Sequence, residues 1–478
     1  MTLRLALRIG LSTLALGLPS LCFAADGEPI VMGQRFQLRS ESMGAMRSYL
    51  VHRPPNYDIS NARYPVLIVL DGNEHFQHAS ATVDFLAGAG RIPPMLVVGI
   101  PNADRRRDLS SYSDAPGPSA LLKFITDELV PKIDRDYRTR PYRLLMGWSS
   151  AGLFALHAMI NAPETFRGYL LAVPAFGDER ALPKAVGAFF DAHKDPFLNA
   201  DLFMAAADET GSNLAGAFEL SSYLQQRASR VRDLRFTFRR YPEESHGSVP
   251  LRTVYDGLRT LFEGWEIDNP FAIYDQGGLA AIEKHFAALS ERLGFPVAVP
   301  DEALFATFGQ LEYRKRFPEA DQVIKRAIEL YPDSTTALYY AGRLYMEMGN
   351  TPLAVETLKK SLLLSPNDGG ARSLLTEMKV DASEVVPQVH VTPKDVAKYV
   401  GGYGSSAVVF EIERRGDGII GKTAEKEYEL EALSGTRFHW SDHNVYSNGG
   451  TVSFRADSRG RVTGLVFENG GAELKKVR

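Results

Sequence analysis

The ten residues Leu144-Leu145-Met146-Gly147-Trp148-Ser149-Ser150-Ala151-Gly152-Leu153 leave this 478-residue chain little conformational choice. Tyr142 to Met146 is an apolar run that reads as a buried strand, and Leu153, Ala155, Leu156 and Ile160 then recur at helical spacing. A strand that turns sharply into a helix, with a serine at the turn, needs small residues on either side because the backbone passes close to its neighbours. Gly147, Ala151 and Gly152 meet that need. The turn reads as a nucleophile elbow, which pushes the serine Oγ out at the top of a sheet. A serine in an ordinary glycine-containing loop, the competing reading, would not explain the strand and helix patterns around it.

The rest of the first half has the pattern that such an elbow requires. Arg47 to Arg53 reads as a strand ending at Pro54-Pro55, and Pro65 to Leu70 as an unbroken apolar strand that stops at Asp71-Gly72-Asn73. Met95 to Ile100, Gly168 to Val173, Leu202 to Ala207 and Leu234 to Tyr241 read as further strands. Helical patterns fall between and after them, at Leu121 to Ile133, Ala181 to Asp191, Leu214 to Arg230 and Val249 to Glu263. Strands that alternate with helices and are mostly unbroken in apolar character argue an α/β fold, a doubly wound, mainly parallel sheet covered on both faces. Ligands of such sheets sit outside the carboxyl ends of the strands. Asp71, Ser149 and the pair Asp208-Glu209 all fall at such ends.

After Trp265 the character changes. Pro332 and Pro366 stand 34 residues apart, and Ala303/Ala337, Leu304/Leu338, Ala320/Ala354 and Ile324/Leu358 match at the same offset. That period, with small residues at helix crossings, predicts tetratricopeptide-like helix pairs over about 272–380. Two repeats bury little surface alone, so they are expected to pack on the sheet domain or on a further helix pair near Gly278 to Leu293. From about 392 to 478, short apolar stretches alternate with glycine turns such as Gly416-Asp417-Gly418, which predicts a small antiparallel barrel or sandwich. The sheet domain itself is expected over 30–268.

The amino terminus has its own logic. Arg4 and Arg8, the apolar Ile9 to Leu18 and the small-residue end Ser20 to Ala24 have the three-part layout of a secretory signal over 1–24. The mature chain is therefore expected to begin near Ala25, in the periplasm or outside the cell, with no membrane span. Its apolar core is short for a transmembrane anchor. Cys22, the one cysteine, lies in this segment, so the mature chain is expected to have no disulfide and no cysteine metal site. Removing Arg4 and Arg8 lowers the 54 basic residues to 52 against 58 acidic ones, a net charge of −6 that does not recruit nucleic acid. Glu74-His75 and His78 lie close together, but no second cluster offers ligands and no His-Glu-x-x-His helix exists, so neither metal nor cofactor is expected.

A serine hydroxyl becomes a good nucleophile only beside a base, and the base needs a third group to hold its tautomer. His157, in the helix after the elbow, reads as a packed histidine, and His193, in a polar stretch, as a solvated one. His246 follows a strand, in a loop that turns into a helix, and is the candidate base. Asp208 and Glu209 compete for the third role; Glu209 is favoured because it lies farther past the strand and reaches farther. The cluster Arg105-Arg106-Arg107, flanked by Asp104 and Asp108, suits a solvated loop as well as a substrate contact.

Leu70-Asp71-Gly72, Arg107-Asp108-Leu109, Gly147-Trp148-Ser149, Asp208-Glu209 and Ser245-His246-Gly247-Ser248 together resemble the esterase D-like family of α/β-hydrolases over about residues 45 to 265. The resemblance implies a triad of Ser149, His246 and Glu209 and an oxyanion hole from the backbone N–H groups of Ser150 and Asn73. Arg107 and Trp148 are assigned to substrate contact. Many members have two glycines where this chain has Ala151-Gly152, a tolerable methyl. The C-terminal segment resembles the small β domain appended to many secreted serine hydrolases. The activity expected is hydrolysis of a small-molecule carboxylic ester, with siderophore or other natural-product esters ahead of acylated or feruloylated sugars. The reading from a different class is a non-catalytic scaffold whose repeats bind a protein partner.

Overall fold

A computed structural model describes residues 30–478 except 103, 110–116, 177–181, 193–199, 229–233, 387–388, 390, 405–407, 425, 442–449, 469–471 and 478. The expected export segment, 1–24, lies outside the described residues. Eight strands form the first sheet: β1 (Gln34–Ser40), β2 (Ala45–His52), β3 (Tyr64–Leu70), β4 (Leu96–Ile100), β5 (Thr139–Trp148), β6 (Gly168–Ala172), β7 (Ala200–Ala206) and β8 (Leu234–Arg240). Their order is β1-β2-β4-β3-β5-β6-β7-β8. From β4 to β8 the pairing is parallel, whereas β1 with β2 and β2 with β4 pair antiparallel.

Every residue of β3 is buried, because helices cover both faces and successive side chains enter opposite cores. Leu67 and Val69 join one core, Val66, Ile68 and Leu70 the other. The helices of this part are α1 (Gly72–Gly88), α2 (Arg105–Leu109), α3 (Gly117–Lys123), α4 (Val130–Asp136), α5 (Ser150–Asn161), α6 (Leu182–Ala192), α7 (Gly211–Ala228) and α8 (Val249–Leu261). Buried residues of α1 and α8 line the first core, those of α3, α5 and α7 the second. The single helix expected around Leu121 to Ile133 is instead α3 and α4 joined through a wider π-type turn, Phe124–Leu129. The sheet also begins one strand earlier than the sequence pattern suggested, with β1.

Among the described residues eight helices follow: α9 (Pro270–Leu293), α10 (Asp301–Tyr313), α11 (Phe317–Leu330), α12 (Thr335–Glu347), α13 (Thr351–Leu364), α14 (Gly369–Glu377) and the short α15 (Ala382–Val385) and α16 (Pro393–Ala397). The starts of α10, α12 and α14 recur at the 34-residue offset, as do those of α11 and α13. The matched residues Ala303, Leu304, Ala320, Ile324, Ala337, Leu338, Ala354 and Leu358 are all buried. Gly342 on α12 shows why small residues sit at the crossings, since a Cβ there would lie 2.5 Å from the Leu358 side chain. Within the range of α9 two helical stretches meet at Gly277 and Gly278, whose backbone angles are not helical, so the second stretch begins where the further helix pair was expected. The remaining chain closes an eight-stranded antiparallel barrel between Gly401 and Lys476, in which the last strand pairs with the first.

Both appended parts meet the sheet at the amino ends of its strands. Phe295 packs 5.7 Å from Tyr142 near the start of β5, and Arg292 of α9 donates to the Leu261 carbonyl. The barrel core takes in Ile59, and Tyr428 Oη donates to Asn56 Oδ1, both just before β3. Glu431 of the barrel also accepts from Ser365 Oγ at 2.6 Å and from the Asn367 N–H at 3.0 Å, beside α13. The carboxyl ends of the strands are thus left to other chemistry. Among the described residues, no helix is long and apolar enough to cross a membrane.

One buried ion pair fixes a loop at that carboxyl edge. Arg47 of β2 and Asp108 of α2 approach to 2.8 Å with 3% and 0% of their side chains exposed, and Asp108 also accepts from Arg107 Nε at 2.7 Å. Removing one member of such a pair strands a desolvated charge. We expect Asp108→Ala to lower unfolding stability by about 3–5 kcal/mol, read as the urea midpoint. The double replacement R47M with D108L should recover most of that loss, and an unchanged midpoint in Asp108→Ala would contradict the assignment.

Candidate active site

Ser149 sits between the end of β5 and the start of α5 with φ 58° and ψ −120°, a region that non-glycine residues rarely occupy. Conformations of this kind cost of order 1–3 kcal/mol and persist only where neighbours over-determine them. Here the Ser149 N–H donates to the Ala172 carbonyl at 2.9 Å, and its own carbonyl accepts from Gly152 and Leu153 of α5 and from Ala175 after β6. Gly147 makes the close approach possible, since a Cβ there would lie 2.1 Å from the Ala151 carbonyl oxygen. Asp71 and Val173, at the ends of β3 and β6, also have positive φ, so three neighbouring parallel strands end in strained residues.

Two helix amino termini converge on this edge. α1 starts one residue after Asp71 at the end of β3, α5 one residue after Ser149, and β3 and β5 are adjacent. First-turn N–H groups have no carbonyl within their own helix. Those of Asn73 and Ser150 are therefore donors at positions where helix dipoles favour negative charge.

His246 and Glu209 are brought together from the loops after β8 and β7. His246 Nδ1 lies 2.7 Å from Glu209 Oε1, and Asn213 of α7 donates to Glu209 Oε2 at 3.4 Å. Glu209 is 12% exposed. Asp208 is 69% exposed and faces Arg240 at 3.6 Å. The chain bends at Asp208, where the Glu209 N–H donates back to the Ala207 carbonyl at 2.8 Å and the Asp208 N–H is taken up by the Glu244 carbonyl of the histidine loop, and the two side chains go to different partners. The other histidines lie elsewhere: His157 on α5 is close to Asn161, and His193 falls outside the described residues.

Trp148 joins the serine to the histidine loop. Its Nε1–H donates to the His246 carbonyl at 2.7 Å, and its ring lies 5.3 Å from the imidazole. Arg105 stands over the Trp148 ring at 5.1 Å and donates to the Trp148 carbonyl at 3.2 Å. The same guanidinium grips buried Asp71 with two bonds, 2.8 and 2.9 Å, and Asn102 Nδ2 donates to Asp71 as well. Arg107 instead faces Asp104 and Asp108. Asn102 is not among the residues that the sequence singles out, and Arg105 is singled out there only as one of the cluster Arg105-Arg106-Arg107; both stand directly after the end of β4.

His75 and His78, one turn apart on α1, share a 3.0 Å contact between Nδ1 and Nε2. Burial pushes both below the usual histidine value, and the neighbouring His75 helps to bring His78 down to about 4. Both are neutral near pH 7. The His75 ring lies 5.2 Å from Trp148 at 77° and packs edge-on against it.

The sheet order and the strand-to-helix turn at Ser149 are those of the α/β-hydrolase fold. Residues 40–188 match the model of the family described as "Putative esterase". The Ferri-bacillibactin esterase BesA of Bacillus subtilis (strain 168) is 27% identical over 143 residues, covering 24% of this chain and 48% of that protein. The chain thus spans about half the length of this curated relative. The crystal structure of an IroE-like serine hydrolase from Shewanella oneidensis superposes with a TM-score of 0.53 at 27% identity, over 63% of this chain and 99% of that one. An uncharacterised protein from Capnocytophaga ochracea shares the fold, with a TM-score of 0.55 at 16% identity over 71% of this chain and 99% of its own. Both matches extend beyond the sheet domain into the chain that follows.

The side-chain placement separates the two acids experimentally. Glu209→Gln should lower kcat by about 10³- to 10⁴-fold at unchanged stability, because an amide favours the wrong imidazole tautomer and cannot offset the imidazolium. Asp208→Asn should cost less than about threefold, the effect of a solvent-exposed ion contact. A larger loss in the Asp208 variant would reverse the assignment.

Proposed function

We propose that this chain is a serine esterase in which Ser149 is the nucleophile, His246 the general base and Glu209 the acid that orients it. The observation that carries the reading is the strained Ser149 at the strand-to-helix turn, tied through Trp148 to a histidine that is itself paired to a carboxylate. Ser149 Oγ attacks the ester carbonyl as His246 accepts its proton, and Glu209 offsets the imidazolium that forms. The carbonyl oxygen, now negative, is received by the N–H groups of Ser150 and Asn73. Donors fixed before the reaction cost no reorganisation when charge develops, which makes this type of stabilisation large. His246 then returns the proton to the leaving alcohol, and water releases the acyl-enzyme by the same route.

The substrate class we place first is a siderophore ester. The support is the 27% identity to a ferri-bacillibactin esterase and to an IroE-like serine hydrolase. Export by residues 1–24 would put the enzyme in the periplasm or outside the cell, and the helix pairs with the 34-residue period are read as tetratricopeptide-like.

A purified-protein screen tests the whole reading. Ferri-bacillibactin, a feruloylated sugar and p-nitrophenyl acetate are compared by kcat/KM, with the siderophore ester expected to rank first. Ser149→Ala should lose on the order of 10³-fold or more on every ester hydrolysed while its circular dichroism stays unchanged. Near-normal turnover in that variant would remove Ser149 from the mechanism, and preference for the sugar ester would move the substrate class.

A further inference from the structure

The residue before the nucleophile has contacts that substrate binding does not explain. Among the described residues, His246 makes two hydrogen bonds. One fixes the imidazole through Nδ1 to Glu209, and the other fixes the backbone, where the His246 carbonyl accepts from Trp148 Nε1. The second bond spans 98 positions of sequence and ends on the residue adjacent to Ser149. It is the direct tie between the nucleophile's own strand and the loop that carries the base. Trp148 is held in turn on several sides: Arg105 over its face, the neutral His75 edge-on, the His246 ring beside it, and its own carbonyl bonded to Arg105. Arg105 does not swing freely, because both of its bonds to Asp71 run to a carboxylate that is 1% exposed.

We propose that Trp148 is a positioning residue: its indole N–H and ring lock the His246 loop to the nucleophile elbow, with Arg105 and Asp71 as the anchor behind it. This rests on the reading of Ser149 and His246 as nucleophile and base. The physical reason is that proton transfer needs donor and acceptor within hydrogen-bond reach, and a displacement near 1 Å can cost about 10²-fold in rate. The histidine sits on a loop rather than on a strand, and its loop turns at Ser245 and Ser248, which bond each other. Glu209 and the Asp208 N–H tie this loop to the chain after β7, and the indole donor at the end of β5 ties it to the nucleophile's own strand.

Trp148→Phe keeps an aromatic ring and removes the donor. The expected result is a kcat lower by about 10- to 100-fold with KM within about twofold, and a matching fall in the second-order rate at which a small fluorophosphonate labels Ser149. A tryptophan that served only as a substrate wall would raise KM and leave labelling by the small reagent unchanged. That outcome overturns the proposal, as does equal turnover in the two proteins. If Trp148→Phe loses its native circular dichroism, benzothienylalanine at position 148 replaces it, since it preserves the indole outline and lacks the N–H; the same losses are expected. Native chain that is inert to the reagent would remove the activated serine itself and this proposal with it. Native chain that labels, with a variant that labels equally fast, overturns the tryptophan tie alone.

Discussion

The site depends on one backbone constraint, the positive φ of Ser149 where β5 becomes α5. Relaxing that residue would move the serine off the sheet edge and swing the first N–H groups of α5 away from it. The sheet prevents this from both sides. Gly147 lets Ala151 approach within a distance that no side chain would permit, and the carbonyl of Ala172 holds the Ser149 N–H. The parallel register of β3, β5 and β6 then sets Asp71, Ser149 and Val173 side by side as strained strand ends. Cost is concentrated at the edge where chemistry is placed, and the two apolar cores behind it provide the stability that tolerates it.

From that edge, contacts spread sideways rather than downward. Arg105 joins the end of β3 to the end of β5 through Asp71 and Trp148, and Trp148 joins β5 to the loop after β8. The Arg47–Asp108 pair holds the short helix that carries Arg105. At the opposite edge, α9 and the barrel pack on the amino ends of the strands. The helix pairs and the barrel therefore brace the sheet from behind and leave the Ser149 edge unobstructed by their contacts with Tyr142 and Asn56.

Much of this was legible because local pattern carries it. The strand ends expected at Leu70, Met146 and Ala207, each within two residues of the observed one, the 34-residue helix period and the small residues around Ser149 are all short-range signals. What escaped depends on contacts between distant segments. β1 carries only half-buried Phe36 and Leu38 in a polar stretch, and its place is set by pairing with β2. The sequence left barrel and sandwich both open, and the pairing of the last strand with the first across more than sixty residues is what decides for the barrel. The sequence left the basic run with Arg105 open between a solvated loop and a substrate contact; Asp71 lies 34 residues away, and the parallel pairing of β3 with β4 brings their ends together. The choice between Asp208 and Glu209 rested on reach and strand alternation, and the side chains do diverge, one to Arg240 and one to His246.

The central claim is that the backbone geometry at residue 149 marks the one activated hydroxyl of this edge, although Ser150 and Ser245 stand close by in sequence or space. Incubating the native chain with diethyl p-nitrophenyl phosphate and mapping the adduct by peptide mass spectrometry tests it most directly. The account predicts a single stoichiometric diethylphosphoryl group on Ser149, with release of one equivalent of p-nitrophenol. Modification of Ser150 or Ser245 instead, or a native chain that releases no p-nitrophenol, would contradict it.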